Sequence, residues 1–456
     1  MTKLPDRVAN LVDRIEGATP AERDRYLDFV RVVAILMVIV GHWVVRVVTA
    51  PDGTPTTGYL LEMQPHWQWG SLIWQVMPLF FLVGGSLNAQ SLRRALDAGA
   101  TPAGWARARL HRLLRPTCAL LACIVPLWIL AELLVPEALL LEPNAALIPL
   151  WFVAAYVMMT ALTPLTLALH ERGWTLPAIT LAVLVAGGLD VARIAGIGPV
   201  LGDQSLVSAP NFLLIWGSIY LLGHLWADGR LPSQAPRQAA LAAVGAMGLV
   251  LLIGLGGWPL SMVPIEGTAE LNNVAPPTVA LFALALVQTG LVLLARAPLT
   301  AALQRPLFWA PVALLGARMM TLFLWHQVAL VIMTNLLIQV GWPPLTEAID
   351  ARWWAQQPLW VLMFALPLAA LVPLVGRFEA PGDDAPSHDE GRWDAIIGGV
   401  VLAGAAIGVL VGLGLFDVGP WPALGALALY VAGYRLATGA RLTPRPPRQA
   451  KGETTR

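Results

Sequence analysis

Two cysteines in 456 residues leave nothing with which to staple a fold. Cys118 and Cys123 are five apart in one apolar stretch, too far round a helix to bridge, and read as small packing residues. Charge is scarce as well. Asp, Glu, Lys and Arg make up 12% of the chain, about half the share of an ordinary soluble domain, which excludes a water-facing globule. The net charge is +1, and no basic segment interleaved with aromatics offers a nucleic-acid surface. Three motif classes are missing too: a GxxxxGKS/T loop, a GxSxG elbow, and an HExxH helix or cysteine cluster. Their absence argues against P-loop nucleotide chemistry, α/β-hydrolase catalysis and a metal site. The first residues, Met1 to Asp24, lack the short apolar core and cleavage site of a signal peptide and read as a polar, amphipathic or disordered leader.

What the chain has in abundance is apolar length. It is 57% hydrophobic, with a mean hydropathy of +0.67. A bilayer needs windows of about 17–25 apolar residues, and twelve can be placed, from 27–48 to 421–438; those at 210–226 and 421–438 are the shortest. The fold expected is therefore all-α, a polytopic membrane helix bundle. Its parts are a leader (1–26), a ten-helix membrane unit (27–377), a linker (378–392), a two-helix extension (393–438) and a tail (439–456). The linker is acidic and Pro-containing, without apolar periodicity, and the tail is rich in Arg and Pro and expected to be disordered. With the N-terminus in the cytoplasm and the spans alternating, only Arg46, Arg193 and Arg352 of the 29 basic residues fall on the outer side. That asymmetry obeys the positive-inside rule and predicts a cell-membrane protein with both termini cytoplasmic.

The first apolar run, Arg25 to Val48, carries Arg31 and His42. An ionisable group inside a span costs a few kcal/mol on insertion scales, so it marks a candidate site. The two are eleven residues apart, about three helical turns. That puts them within about 20° of one face and roughly 16 Å apart along it. His326 is the other histidine well inside a span. Its nearest arginine on the N-terminal side, Arg318, is eight residues back and about 80° off its face. The connection 91–115 ends in a basic amphipathic pattern, with Trp105, Leu110, Leu113 and Leu114 among arginines. It suits either the anionic inner leaflet or the phosphates of an anionic cofactor. Trp67, Trp69, Trp258, Trp342, Trp353 and Trp354 suit an interfacial belt, with sugar stacking as the alternative. The glycines of Phe80–Asn88 suit close helix packing.

A buried imidazole with arginines at its inner mouth fits two classes. One is an enzyme that takes an anionic donor and uses His as a general base on a hydroxyl. The other is a transporter or proton-coupled carrier with His as relay, for which paired broken helices or repeats would be expected and are not evident.

Several stretches carry a resemblance. Arg25–His42, RYLDFVRVVAILMVIVGH, resembles the opening signature of the membrane acyltransferase-3 family, an LDxxR start followed by Arg-x10-His. Met77–Gly85 resembles the family's MPLFFxxSG stretch, with Gly84 where Ser is common. Arg109-x-x-Arg112-Leu-Leu-Arg115-Pro116 is similar to its RxxR…RxxxP segment. Trp151-Phe152-Val153 is similar to a WFL stretch, and Phe323-Leu-Trp-His326 to an aromatic-x-x-His near the last core helices. The resemblance implies an acyl-CoA-dependent O-acyltransferase with a core of about ten helices. The group moved, acetyl or another short acyl, would pass to a hydroxyl of a carbohydrate, lipid-linked glycan or small molecule, often across the bilayer. It implies His42 as catalytic base and Arg31, Arg112 and Arg115 as ligands of the CoA phosphates. Trp151, Arg318 and His326 complete the expected binding residues. Many relatives carry an extracytoplasmic hydrolase-like domain where this chain has two further helices.

Overall fold

A computed structural model of the chain describes residues 6–134, 143–201, 204–265, 272–379, 391–412 and 420–440. Most of the expected linker and tail (380–390 and 441–456), with residues 1–5 of the leader, lie outside them. The described residues form an all-α polytopic membrane bundle. Ten of their helices are long and apolar enough to cross a membrane. The helix Asn211–Ala227, at 17 residues, is shorter but equally apolar in character.

Helix α1 (Asp6–Gly17) lies in the leader and leads to α2 (Arg25–Val45). Asp24 starts α2 by accepting hydrogen bonds from the backbone N–H groups of Tyr26 and Leu27. The helix stops where Arg46 turns extended and begins a hairpin, β1 (Arg46–Thr49) paired antiparallel with β2 (Thr56–Tyr59). Its apolar residues run around the whole helix, and its buried ones include Tyr26, Val30, Ile35, Ile39 and Trp43. A helix apolar on every side belongs inside a bundle or membrane, and α2 sits at the hub of this one. It packs against α3 (Met77–Asp97), α10 (Val279–Leu303), α11 (Pro306–Gly316), α12 (Met319–Val340) and α13 (Ala351–Val375).

The next elements in the chain are α4 (Pro102–Leu134), α5 (Leu150–Ala161), α6 (Thr163–Glu171), α7 (Thr175–Ile194), α8 (Asn211–Ala227) and α9 (Ala235–Gly254). The basic amphipathic stretch and the apolar window read at 116–136 form one continuous helix, α4, so the arginines occupy the first turns of the span itself. Pro116 and Pro126 lie within it. Each removes one backbone donor, a loss membrane helices tolerate when neighbours compensate. The apolar window read at 148–169 is divided at Leu162 into α5 and α6, the second with Pro164 in its first turn. Helix α11 is 11 residues long. Its buried Trp309 donates to Thr19 Oγ1 at 2.8 Å, tying the leader to the bundle.

Two contacts pin helices of the bundle together. Helices α3 and α8 cross at Gly85 and Gly223: a Cβ on Gly85 would run into the carbonyl of Tyr220, and one on Gly223 into that of Leu82. This is the close approach small residues permit. The start of α12 is held from beyond α13, where the Glu379 carboxylate accepts from Met320 N, Thr321 N and Thr321 Oγ1 at 2.9, 3.0 and 2.7 Å. The extension, α14 (Trp393–Gly412) and α15 (Pro420–Thr438), packs on α4 and α5. Tyr430 of α15 donates to the Leu114 carbonyl of α4.

Candidate active site

The hub helix and α12 bring together two histidines that are 284 residues apart in sequence. Nδ1 of His42 lies 3.0 Å from Nε2 of His326, and the rings are stacked at 5.1 Å between centroids. His326 has no exposed surface, whereas His42 is half-buried. Nδ1–H of His326 donates to the Phe323 carbonyl at 2.6 Å, within its own helix. Trp43 Nε1–H donates to the His326 carbonyl at 3.0 Å, so α2 grips α12 at the same level. One turn beyond His42, Arg46 hydrogen-bonds the Tyr59 hydroxyl and sits 4.0 Å over that ring, pinned by the hairpin.

A run of packed aromatic rings leads from this pair towards the arginines. Phe323 packs on His326 at 5.9 Å and meets Phe152 edge-on at 5.2 Å. Phe152 packs on Tyr156 at 5.6 Å. Trp151 is half-buried, stacks on Trp216 at 6.1 Å and touches the edge of Phe152, one ring removed from Phe323.

Beyond Tyr156 stands the basic cluster. Arg109 of α4 lies within electrostatic reach of Arg31, Arg112, Tyr156 and Tyr220. Its Nε is buried and has no hydrogen-bond partner among the described residues. A buried cationic donor left unmatched costs free energy, which an incoming anion would recover. Arg31 is one-third exposed and lies 3.5 Å from Asp28, whose other oxygen is taken by Arg23 at 2.6 Å. Arg112 is exposed, about 60° round the helix from Arg109. Arg115 is half-buried, about 120° from Arg109, and has a partner of its own. Arg318 is exposed at the start of α12 and donates to the Gly376 carbonyl at 3.2 Å, joining α12 to α13.

The structure therefore unites His42 with His326 and brings Arg31 and Arg112 within reach of Arg109, while Arg318 bonds to the Gly376 carbonyl. It adds Arg109, Tyr156, Tyr220 and Trp43. Arg109 was visible as the first arginine of the RxxR pattern, and Tyr156 as the residue one turn after Phe152. Tyr220 is held by its hydroxyl. Asn88 Nδ2 donates to it at 2.8 Å, and it donates in turn to Thr163 Oγ1 at 2.7 Å, because the Thr163 hydrogen goes to the Met159 carbonyl. Among the described residues, no three His, Cys, Asp or Glu side chains stand together as metal ligands.

The arrangement offers a half-buried imidazole, a run of packed aromatic rings leading from it, and an arginine cluster with an unmatched donor. A comparison with family models finds a match, described as an acyltransferase domain, over residues 24–377. No curated protein and no solved structure matches the chain.

Proposed function

The chain belongs to the acyltransferase-3 family and is a membrane acyltransferase, and we propose that it transfers a short acyl group, acetyl, from acyl-CoA to a hydroxyl. The acceptor class is a carbohydrate, lipid-linked glycan or small molecule. The observation that carries this reading is the run of packed aromatic rings that links the histidine pair to Tyr156, beside Arg109 and its neighbours Arg31 and Arg112. Acyl-CoA has its phosphates and its thioester at opposite ends of an extended arm. Its phosphates would meet the arginines, which bind them as charge-assisted donors, while the arm follows the rings.

In this reading the acceptor oxygen attacks the thioester carbon as His42 takes the hydroxyl proton. The new C–O bond forms, the C–S bond breaks, and the imidazolium returns its proton to the departing CoA thiolate. A positioned base of this kind contributes about 10²–10⁴-fold. The arginine end of the bundle, with both termini, faces the cytoplasm, where the donor is; the hairpin end faces outward, where His42 meets the acceptor.

The test uses membranes containing the full chain, radiolabelled acetyl-CoA and candidate glycans. Wild type should transfer label, and His42→Ala should not. Equal transfer by the two overturns the mechanism. Acetyl-CoA consumption in detergent, where no gradient exists, separates this reading from a carrier, which would consume none.

A further inference from the structure

We propose that His326 is a positioning residue that leaves Nε2 of His42 as the basic nitrogen. The inference rests on the reading of His42 as the base and adds which atom of it acts and why.

The argument is one of counting hydrogens. The Phe323 carbonyl can only accept, so the 2.6 Å contact places a hydrogen on Nδ1 of His326. A neutral imidazole carries one hydrogen, so Nε2 of His326 presents a lone pair. That lone pair faces Nδ1 of His42 at 3.0 Å. Two lone pairs do not meet at that distance, so Nδ1 of His42 carries its hydrogen and donates it. The lone pair of His42 is then on Nε2, which has no hydrogen-bond partner among the described residues. The alternative is a doubly protonated His326. It would be a fully buried cation with His42 and Arg46 as the charges acting on the pair, and no carboxylate among them. An unpaired buried charge of that kind is expensive.

The same contacts hold the ring still. The indole of Trp43 fixes the backbone of His326 against α2, and the Phe323 ring packs on the imidazole. When Nε2 of His42 takes the acceptor's proton, Nδ1–H of the imidazolium still donates to His326. This is the base-and-orienter logic of catalytic triads, with an imidazole lone pair where those have a carboxylate.

The test compares His326→Leu, which removes the acceptor, with His326→Gln, whose Oε1 can still accept from His42. Native membranes holding the full chain and their own acceptor are given acetyl-CoA, and released CoA thiol is followed. His326→Leu should lower kcat by about 10²-fold or more with KM for acetyl-CoA within about twofold. His326→Gln should recover to within about tenfold of wild type. Equal damage in the two variants, or none in His326→Leu, overturns the proposal. The second readout is the ¹⁵N spectrum of histidine-labelled protein in lipid nanodiscs. Wild type and His326→Gln should show a bare Nε2 on His42, and His326→Leu a mixture of tautomers. A protonated Nε2 in wild type overturns the positioning role. Wild-type turnover by His42→Ala instead overturns the base assignment, leaving the tautomer to be judged by the spectrum alone.

Discussion

Two histidine pairs sit inside this bundle, and their nitrogens are used differently. In the first, His42 and His326, three of the four ring nitrogens are engaged among the described residues, and the remaining one belongs to the half-buried member. In the second, all four are engaged. His170 donates through Nε2 to Asp228 at 2.8 Å and meets Thr175 Oγ1 through Nδ1 at 2.7 Å. His224 donates through Nδ1 to the Gly85 carbonyl at 3.1 Å and meets Thr166 Oγ1 through Nε2 at 3.1 Å. The second pair also has a carboxylate and Arg93 beside it. A histidine with both nitrogens committed fastens helices, and one with a nitrogen free can accept a proton. Burial alone does not separate the pairs, since His326, His224 and His170 are all buried.

The sharpest way to break this contrast is to exchange the pairs' expected importance. His42→Ala should reduce acyl transfer by about 10²–10⁴-fold, measured with labelled acetyl-CoA in membranes. His224→Ala, assayed in the same amount of folded protein, should stay within about tenfold of wild type. Comparable loss in both would mean that a free nitrogen is not what distinguishes the catalytic pair.

Next in size is the donor end. Arg109→Ala removes a half-buried cation whose buried Nε lacks a partner among the described residues. Charge-assisted hydrogen bonds contribute about 1.5–3 kcal/mol, so KM for acetyl-CoA should rise about tenfold or more while kcat changes little. Arg318→Ala loses a bond to the Gly376 carbonyl instead. It should lower thermal stability and leave KM near wild type. A KM rise in Arg318→Ala matching that of Arg109→Ala would place the donor phosphates elsewhere.

Much of this was legible in the chain, and the illegible part has a common cause. Apolar windows of spanning length gave an all-α bundle because hydropathy is a local property. The Arg31–His42 stripe followed from helical periodicity on one segment. The joining of His42 to His326 depends on how α2 and α12 cross, and no property of either segment encodes that. The same holds for Arg109, whose neighbours Tyr156 and Tyr220 come from α5 and α8. Arg318, about 80° off the His326 face by periodicity, bonds to the Gly376 carbonyl at the end of α13, a contact between helices that its own segment does not encode. The continuity of α4 was obscured by Pro116, a residue that ends helices in water but not in a membrane span. The short helix α11 fell below the length that a spanning window detects.

The third prediction concerns the frame of the second pair. Gly223→Ala would push α8 off α3, because the new methyl meets the Leu82 carbonyl, a backbone atom that cannot swing aside. Overpacking typically costs about 1–3 kcal/mol, and the thermal midpoint in detergent should fall accordingly. Since His224 bonds to the carbonyl of Gly85 in the same crossing, its contacts should loosen while the His42–His326 distance is kept. Acyl transfer per folded molecule should therefore survive. Loss of transfer without loss of stability would show that the two pairs are coupled.

The smallest effect is expected at Asp228, just beyond the end of α8. Partial burial pushes its carboxyl up, but the hydrogen bonds from Arg93 and His170 outweigh that and hold it below the usual carboxylate range. A carboxylate held low in the folded state stabilises the protein above its unfolded value, and the contribution is lost as pH falls through the folded one. The window is therefore acidic, below about pH 4. With 27% of its side chain exposed, Asp228 is screened by solvent, and the effect should stay under about 1 kcal/mol. Asp228→Asn should lower the thermal midpoint slightly at neutral pH and flatten its decline under acid. A decline as steep as in wild type would mean that the titrating group lies elsewhere. A large loss of transfer in this variant would be the more telling result, because it would make the second pair part of the chemistry and not only part of the scaffold.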